Sequence, residues 1–545
     1  MGRTRENKRQ CKNWNINRES KGWNVMGSVV EMLNISKFYP GVVANDDVSL
    51  SVNKGEILGL IGENGAGKST MMNVLYGLTQ ADKGIVKLFG KEVKIESPEK
   101  AIQMGIGMVH QHFMLMPNLS VLQNIILGKV PTKNGIINTK MAKEKIQKIM
   151  DTYDLPVNLD EKIYQLSVGE KQRVEIIKSL YREAKILIMD EPTAVLTPTE
   201  TDRLLDVMRQ LKEQGNTIIF ITHKLREVMA ITDKVVVMRK GIVTGSLATA
   251  EADTAMLSNF MVGRPVDLEI PRGEYKPGKT VLEVKGLSAL NARGIPALRK
   301  VNFSVKEGEI VGIAGVEGNG QTELIESISG MLQPTEGEVL FKGKDITKFS
   351  VRSRREEGLS HIPEDRLKMG TAKNCSIRDN LILNRYYQKP YAKLSVMDNQ
   401  KLMKLSEDLC KEFQVKTPDS VCLLGTLSGG NMQKVVFARE MEANPELLIA
   451  AQPTRGVDIG AIESIHHKIM EIRDAKKAIL LVSAELDEIL SLSDRILVMY
   501  EGEIMAELSR EEANEREIAA YMTGAKRQDS EKRQGTEKRQ GGEKR

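Results

Sequence analysis

The feature that most constrains the fold of this 545-residue chain is an internal repeat: one set of sequence motifs occurs twice. The glycine-rich blocks pair at an offset of 315 − 62 = 253 residues, and the later blocks pair at an offset of 428 − 167 = 261 residues. Five blocks recur in one order: 45–70 with 298–323, 105–112 with 358–365, 166–172 with 427–433, 186–193 with 447–454, and 221–228 with 482–489. This order predicts two similar domains in tandem.

Within each copy, apolar runs of strand length enter sharp turns, as EILGLI does before the glycine loop. Such runs alternate with helical segments, which predicts a mainly parallel sheet covered by helices and places the chain in the α/β class. We expect the first domain at 30–264 and the second at 281–523, joined by a linker at 265–280 that holds three prolines and two glycines. Residues 1–29 are expected to be a basic disordered extension, and 524–545 a low-complexity charged tail.

The formal net charge of +6 comes from the ends of the chain. Residues 1–25 contribute 7 − 2 = +5 and residues 526–545 contribute 8 − 4 = +4, so the rest carries 6 − 9 = −3. A mildly acidic body argues against a nucleic-acid-binding protein. The four cysteines are scattered, which is typical of a reducing compartment. No stretch approaches the roughly 18 apolar residues that span a bilayer, so we expect a membrane role only through a partner.

Residues 62–70, GENGAGKST, have the complete pattern of a phosphate-binding loop. Its glycines let backbone N–H groups approach the phosphates, Lys68 reaches the β- and γ-phosphates, and the Ser69 hydroxyl ligates Mg²⁺. The strand before the loop and the helical run after it argue against an ordinary flexible turn. We predict that the whole loop binds ATP: Gly62, Glu63, Asn64, Gly65, Ala66, Gly67, Lys68, Ser69 and Thr70.

Four more side chains of the first copy are candidates for the chemistry of ATP hydrolysis. Asp190 and Glu191 end the apolar strand ILIMD, and we expect Asp190 in the Mg²⁺ shell and Glu191 acting on the attacking water. His223 is expected to bond the γ-phosphate, and Gln111 to ligate Mg²⁺ or water. Each residue alone has a structural alternative, and their order behind a phosphate loop favours the catalytic interpretation.

The block LSVGEKQ places Ser167 and Gly169 where a helix should begin, and a helix N-terminus presents free N–H groups to an anion. The phosphate loop, Gln111, LSVGE, DEPT and His223, in this order, resemble the ATP-binding domain of ABC transporters. The resemblance covers roughly residues 30–523, twice over. It implies two P-loop NTPase domains, each with a RecA-like parallel sheet, a helical subdomain and an antiparallel β subdomain.

In that family two such domains face each other head to tail, and each ATP lies between the phosphate loop of one domain and the signature segment of the other. The resemblance therefore implies that ATP on the first loop is also bound by the second signature segment, which comprises Ser428, Gly429, Gly430 and Asn431. Tyr39 matches the position of an aromatic residue that stacks on adenine, and a core tyrosine is the alternative.

The second copy lacks most side chains that handle Mg²⁺, water or the γ-phosphate. The residues that stand there instead are Ala292 for Tyr39, Gln321 for Lys68, Glu364 for Gln111, Ala451 for Asp190, Gln452 for Glu191 and Ala484 for His223. Without the lysine, a charge-assisted bond of roughly 1.5–3 kcal/mol is missing, while the backbone cradle survives. The resulting degenerate site is expected to hold nucleotide and to hydrolyse it poorly; its residues are Gly315, Gly320, Gln321 and Thr322 with Ser167 and Gly169.

Three functions compete: the energising subunit of a membrane importer, a soluble twin-domain ATPase that acts on ribosomes, and a module that only binds ATP. A complete first site, an altered second site and a short linker favour the importer. HIPEDR at 361–366 and PTRGVDIGA at 453–461 resemble the ATPases of ribose-type and nucleoside importers. MVHQHFML and DEPTAVLTP resemble the nucleoside branch, and simple-sugar import stays the alternative.

The resemblance also implies cofactors, partners and a location. The cofactors are ATP and Mg²⁺. The partners are two transmembrane permease subunits and an extracytoplasmic substrate-binding protein or lipoprotein, with no nucleic acid. The chain is expected at the cytoplasmic face of the cell membrane, as a peripheral protein. Residues 113–121, FMLMPNLSV, are a candidate docking surface, with ordinary core packing as the alternative.

Overall fold

The computed structural model describes residues 27–40, 42–110, 113–133, 136–193, 196, 198–265, 270, 272–316, 318–389, 391–393, 396–457 and 459–528. Of the predicted site residues, Gln111 lies outside these ranges. Apart from residues 197–200, which group with the second, the chain divides into two compact units, the first ending at Met261 and the second beginning at Val262. The expected linker belongs to the second unit, where the Tyr275 hydroxyl donates to Glu309 Oε1 at 2.9 Å.

The first unit contains two main sheets. Its strands are β1 (Ser28–Tyr39), β2 (Val42–Asn53), β3 (Ile57–Gly62), β4 (Lys83–Leu88), β5 (Lys91–Val93), β6 (Ile106–Val109), β7 (Thr132–Lys133), β8 (Ile136–Ile137), β9 (Ile186–Asp190), β10 (Thr217–Ile221), β11 (Lys234–Arg239) and β12 (Ile242–Ala248). The antiparallel sheet has the order β2–β1–β4–β5, and the six-stranded sheet has the order β12–β11–β3–β10–β9–β6. In the six-stranded sheet all neighbours are parallel except β11 and β12.

Strand β3 lies inside the larger sheet, and all six of its residues are buried. A continuous apolar run is what a parallel strand covered on both faces requires. Strand β10 pairs with β3 on one side and with β9 on the other. Since the carboxyl ends of parallel strands meet at one edge of a sheet, the residues after these three strands are brought together there.

Helices cover both faces of this sheet. They are α1 (Lys68–Leu75), α2 (Pro98–Gln103), α3 (Val121–Ile126), α4 (Thr139–Tyr153), α5 (Val168–Tyr181), α6 (Pro198–Glu213), α7 (Leu225–Ile231) and α8 (Thr254–Val262). Buried residues of α3, α4 and α5, such as Ile125, Ile146 and Ile177, share one core with Leu187 of β9. The other core joins β1, β3 and α1, so the phosphate loop between β3 and α1 is anchored at both ends.

The second unit repeats this architecture. Its strands are β13 (Thr280–Leu290), β14 (Pro296–Lys306), β15 (Ile310–Ala314), β16 (Glu336–Phe341), β17 (Lys344–Asp345), β18 (Leu359–Ile362), β19 (Ala392–Lys393), β20 (Val396–Met397), β21 (Leu447–Ala451), β22 (Ala478–Val482), β23 (Arg495–Tyr500) and β24 (Glu503–Ser509). Its helices are α9 (Gln321–Ser329), α10 (Val351–Glu356), α11 (Ile377–Ile382), α12 (Asn399–Glu412), α13 (Gly429–Glu442), α14 (Ile459–Asp474), α15 (Leu486–Leu492) and α16 (Glu515–Met522).

The sheets of the second unit have the orders β14–β13–β16–β17 and β18–β21–β22–β15–β23–β24. Each matches the corresponding sheet of the first unit strand for strand, which confirms the predicted duplication and the α/β class. None of the helices in the described part of the chain combines the length and the apolar character that crossing a bilayer requires.

Candidate nucleotide-binding sites

The phosphate-binding loop of the first unit connects β3 to α1. Gly67 is the N-cap of α1 with φ 97°, and no side chain caps that helix start. A Cβ atom at Gly67 would lie 2.3 Å from the carbonyl oxygen of Ala44, and one at Gly62 would lie 2.2 Å from that of Met238. Only glycine fits this close wrapping, and the first N–H groups of α1 remain available to an anion.

The Lys68 side chain is folded into the loop. It is only 6% exposed, and its Nζ donates to the carbonyl oxygens of Gly62 at 2.6 Å and Glu63 at 3.0 Å. Burial lowers the pKa of Lys68, and the nearby carboxylates of Glu191 and Asp190 oppose that shift. The loop therefore holds an ammonium group beside its own backbone, the arrangement that a bound phosphate would neutralise.

The two acids at the end of β9 differ in their electrostatic state. Burial and the neighbouring Glu191 carboxylate raise the pKa of Asp190, against the Lys68 charge and a hydrogen bond from Ser69. A hydrogen bond with His223 lowers the pKa of Glu191, and His223 Nδ1 lies 3.2 Å from Glu191 Oε1. Glu191 is thus ionised at neutral pH, which is the state that a general base needs.

The backbone at Glu191 adopts a conformation that is unusual for a non-glycine residue. Its φ is 46°, and its N–H donates to the carbonyl oxygen of Ile221 at 2.9 Å. Gln452, the equivalent residue of the second unit, has φ 47° and donates to Val482 at 2.7 Å. Both units therefore hold this side chain at the sheet edge by the same left-handed turn, a feature that the sequence pattern did not reveal.

The contacts of one glutamine in each signature helix, α5 and α13, were not predicted from the sequence. Gln172 Nε2 donates to the carbonyl oxygen of Pro192 at 2.5 Å, and Gln433 Nε2 donates to that of Pro453 at 2.9 Å. Each bond connects the signature helix to the loop that follows Glu191 or Gln452 in the same unit. The repeat alignment holds a signal for it, because this glutamine is identical in LSVGEKQ and LSGGNMQ.

Tyr39 ends β1 and is 43% exposed, with Lys37 Nζ 5.5 Å from the centre of its ring. The ring therefore lies at the surface and not in the core. In the segment after Gln111, the Met114 and Met116 side chains are exposed, whereas Leu115 is buried in the core with Phe113 packed against it. The segment therefore has one core face and one exposed methionine face.

The two signature segments begin their helices in different ways. Ser167 caps α5 in a reciprocal pair with Glu170, and Gly169 lies in the first turn. Ser428 caps α13 by accepting from the Asn431 N–H at 3.4 Å, and Asn431 Nδ2 also donates to Ser428 Oγ at 2.9 Å. The first segment carries the negative charge of Glu170 at its helix start, whereas the second is neutral there, which favours an anion at the second.

The phosphate loop of the second unit keeps its shape without the charge. Gly320 is the N-cap of α9 with φ 100°, and the Gln321 side chain is buried like that of Lys68. A Cβ atom at Gly315 would lie 2.2 Å from Gln321 Nε2, so the amide lies against the start of the loop. The Thr322 hydroxyl donates to Glu364 Oε2 at 3.3 Å. The amide of Gln452 accepts from the Ala484 N–H through its Oε1 at 3.1 Å, where the first unit has Glu191 and His223.

The structure therefore brings Lys68, Ser69, Asp190, Glu191 and His223 into one electrostatic cluster in the first unit. At the equivalent positions of the second unit stand the amides of Gln321 and Gln452, Ala451 and Ala484, and the carboxylate of Glu364.

Comparison with known proteins identifies the family. The family model described as ABC transporter matches residues 45–194 and 298–455, so that both copies are covered. The guanosine import ATP-binding protein NupO of Bacillus subtilis (strain 168) is 48% identical over 505 residues, which are 93% of this chain and 99% of the relative.

Two further relatives are similar over nearly the whole chain. The nucleoside import ATP-binding protein NupA of Lactococcus lactis subsp. cremoris (strain MG1363) is 44% identical, covering 91% of this chain and 98% of the relative. The glucose import ATP-binding protein TsgD13 of Haloferax volcanii is 43% identical, covering 91% of this chain and 96% of the relative. This chain therefore belongs to the ABC transporter family, as an ATPase with two ATP-binding domains.

Proposed function

We propose that this chain is the ATP-hydrolysing subunit of an importer for nucleosides. The observation that carries the hydrolytic part is the contact between Glu191 and His223 beside the buried Lys68, a cluster whose counterparts in the second unit are replaced. The substrate class rests on similarity: the relatives NupO and NupA, at 48% and 44% identity, are a guanosine and a nucleoside import protein. Sugar import is the second candidate, favoured by the 43% identity to a glucose import protein.

One competent site per chain is the second part of the proposal. It would combine the first phosphate loop with the second signature segment, Ser428 to Asn431. Support comes from the opposite distribution of intact parts, because the charged catalytic cluster lies in the first unit and the neutral helix start lies in the second. The second loop, with the first signature segment, would bind nucleotide without hydrolysing it.

Within the competent site each side chain has a separate role. Glu191, ionised and held by His223, accepts the proton of the attacking water as a general base. His223 orients that carboxylate and presents its other ring nitrogen to the γ-phosphate. Lys68 and the N–H groups at the start of α1 neutralise the charge that develops on the phosphate oxygens. Tyr39 stacks on the adenine through its exposed ring.

Ser69, Asp190 and Gln111 are the residues that would hold Mg²⁺. Support comes from the Ser69–Asp190 hydrogen bond, which brings a hydroxyl and a carboxylate together, since both are oxygen ligands of the kind that Mg²⁺ prefers. The raised pKa of Asp190 beside Glu191 also fits a place that a cation would stabilise. Bound there, the ion would offset negative charge on the phosphate oxygens.

We propose two permease subunits and an extracytoplasmic substrate-binding protein or lipoprotein, with this chain bound at the cytoplasmic face of the membrane. The exposed methionines Met114 and Met116, in a segment otherwise packed into the core, support a role of that segment in docking to the permease.

The test is uptake of labelled guanosine, ribose and glucose by cells that lack the gene and are complemented with variants. Wild type and Gln452→Ala should restore guanosine uptake, and Glu191→Gln should not. Restoration of sugar uptake alone would move the chain to the sugar branch. Equal uptake with and without the gene, for all three substrates, would refute the importer.

A further inference from the structure

The guanidinium of Arg366 lies inside the second unit against the start of the signature helix. Its Nη1 donates to the carbonyl oxygen of Arg455, and its Nη2 donates to that of Gly456 at 3.1 Å. A Cβ atom at Gly429 would lie 2.7 Å from the same Nη2. The side chain thus makes both hydrogen bonds to the loop after β21, while its Nη2 lies against Gly429 of the signature segment.

The anchor of Arg366 is itself rigidly held. Asp365 Oδ1 accepts from the N–H groups of Leu367 and Lys368 at 2.9 and 3.0 Å, and the Thr371 hydroxyl donates to the Arg366 carbonyl oxygen at 2.8 Å. These bonds fix the turn that aims the guanidinium. The opposite side of the contact is fixed as well, because Arg455 Nη1 donates to Glu364 Oε1 at 2.7 Å.

We infer that Arg366 is a positioning residue for the signature segment that completes the competent ATP site. It sets the distance between the loop at 455–456 and the N–H groups that follow Ser428. This inference rests on the proposed pairing of the first phosphate loop with the second signature segment. The hydrogen bonds of the Arg366 guanidinium go to backbone carbonyl oxygens, so it acts through Gly429 and its neighbours.

The sequence of the first unit has no arginine at the two positions equivalent to Arg366 and Arg455. At the offset of 253 residues, Phe113 stands where the second unit has Arg366, and it packs against the apolar core of the first unit. At the offset of 261 residues, the position of Arg455 is taken by Ala194. Arg366 therefore accompanies the signature segment assigned to the competent site, and the unit that carries the other signature segment has a phenylalanine at the equivalent position.

The first experiment compares Arg366→Met with Arg352→Met in the full chain. Arg352 is an exposed arginine of the same unit that pairs with Glu356, so its replacement removes the same charge away from the signature. We expect Arg366→Met to lower kcat/KM for ATP about 10- to 100-fold, the factor that corresponds to losing charge-assisted hydrogen bonds. The control should stay within about twofold, since exposed ion pairs contribute little.

The conservative variant Arg366→Lys separates geometry from charge. A lysine keeps the charge but offers a single ammonium, which cannot reproduce the fork of two N–H groups to two carbonyls. We expect it to recover only part of kcat/KM. Full recovery by lysine would show that charge alone matters and would overturn the positioning role.

A double-mutant cycle gives a readout that does not depend on activity. Gly429→Ala should lower the unfolding temperature of the full chain, because its Cβ would meet the guanidinium at 2.7 Å. In the Arg366→Met background the same substitution should lower it less. Equal shifts in both backgrounds would show that the contact is absent in solution and would overturn the inference.

Ser428→Arg separates this inference from the proposed pairing, because it blocks the signature segment directly. If it abolishes hydrolysis while Arg366→Met leaves kcat/KM unchanged, the inference fails and the pairing stands. If it leaves hydrolysis unchanged, the pairing fails and the inference fails with it. Loss of activity in both variants, with wild-type behaviour of the Arg352 control, supports both.

Discussion

Replacing Glu191 by glutamine should stop ATP turnover while leaving ATP binding intact. The hydrogen bond of Glu191 with His223, at 3.2 Å, lowers the pKa of the carboxyl from a value that is already acidic, so it is ionised at neutral pH. Glutamine has nearly the same shape, but its amide cannot accept the proton of the attacking water. Removal of a positioned general base typically costs about 10²- to 10⁴-fold in rate, which is about 3–5 kcal/mol in activation free energy. We expect kcat to fall by that factor.

The folded state should tolerate the change. Glu191 raises the pKa of the buried Asp190 next to it, so the substitution relieves a repulsion between like charges. It also removes an attraction to Lys68, which acts in the opposite direction. The phosphate loop keeps its backbone and its lysine, so the affinity for ATP should stay within about threefold. A loss of about 1.4 kcal/mol in binding free energy would lower it tenfold.

The matched control is Gln452→Ala at the equivalent position of the second unit. It removes a bond from the Ala484 N–H to Gln452 Oε1 at 3.1 Å and no charge. A neutral hydrogen bond contributes about 1 kcal/mol to stability, so a small fall in unfolding temperature is expected with kcat unchanged within about twofold. Phosphate release measures kcat, and equilibrium binding of labelled ATP measures affinity. Equal loss of kcat in both variants would refute the asymmetry between the units.

Three further outcomes follow from the same geometry. Gln321→Lys in the Glu191→Gln background should tighten nucleotide binding without restoring phosphate release, because the second unit lacks the acids; restored release would contradict this. Gly67→Ala should abolish ATP binding and lower the free energy of unfolding by at least about 1–3 kcal/mol, since φ is 97° and a Cβ atom would lie 2.3 Å from the Ala44 carbonyl oxygen. Burial lowers the pKa of His361 to about 4 from 6.5, so the stability it confers is complete above pH 6.5 and is lost as the pH falls towards 4. In His361→Met the free energy of unfolding should vary less with pH across that range, by at most about 3 kcal/mol. An unchanged pH dependence would contradict the burial argument.

The sequence was sufficient for the architecture because the duplication is explicit in the order of the motifs. Strand β3 could be predicted from a continuous apolar run before a glycine loop, and β9 from the run before DEPT. The rule that parallel strands present their carboxyl ends at one edge then indicates that Lys68 and Glu191 lie close together. The electrostatic interaction between Lys68 and Glu191 agrees with that expectation.

Contacts that depend on packing were beyond prediction. Arg366 and Gly429 are far apart in the chain, and no periodicity indicates that a guanidinium lies against that glycine. The left-handed backbone at Glu191 is likewise imposed by the tertiary hydrogen bond to Ile221 and not by a local preference for such a turn. The identical glutamines at 172 and 433 were visible in the alignment, but their proline partners became clear only from the fold.

The central claim is that one chain holds one hydrolytic site, on the first phosphate loop. The most direct measurement traps a photoreactive 8-azido analogue of ATP with vanadate and Mg²⁺, crosslinks it, and cuts the chain at a protease site engineered between residues 265 and 280. Vanadate-dependent label should appear on the first-unit fragment alone and should disappear in Lys68→Ala. Vanadate-dependent label on the second-unit fragment, alone or in equal amount, would contradict the account.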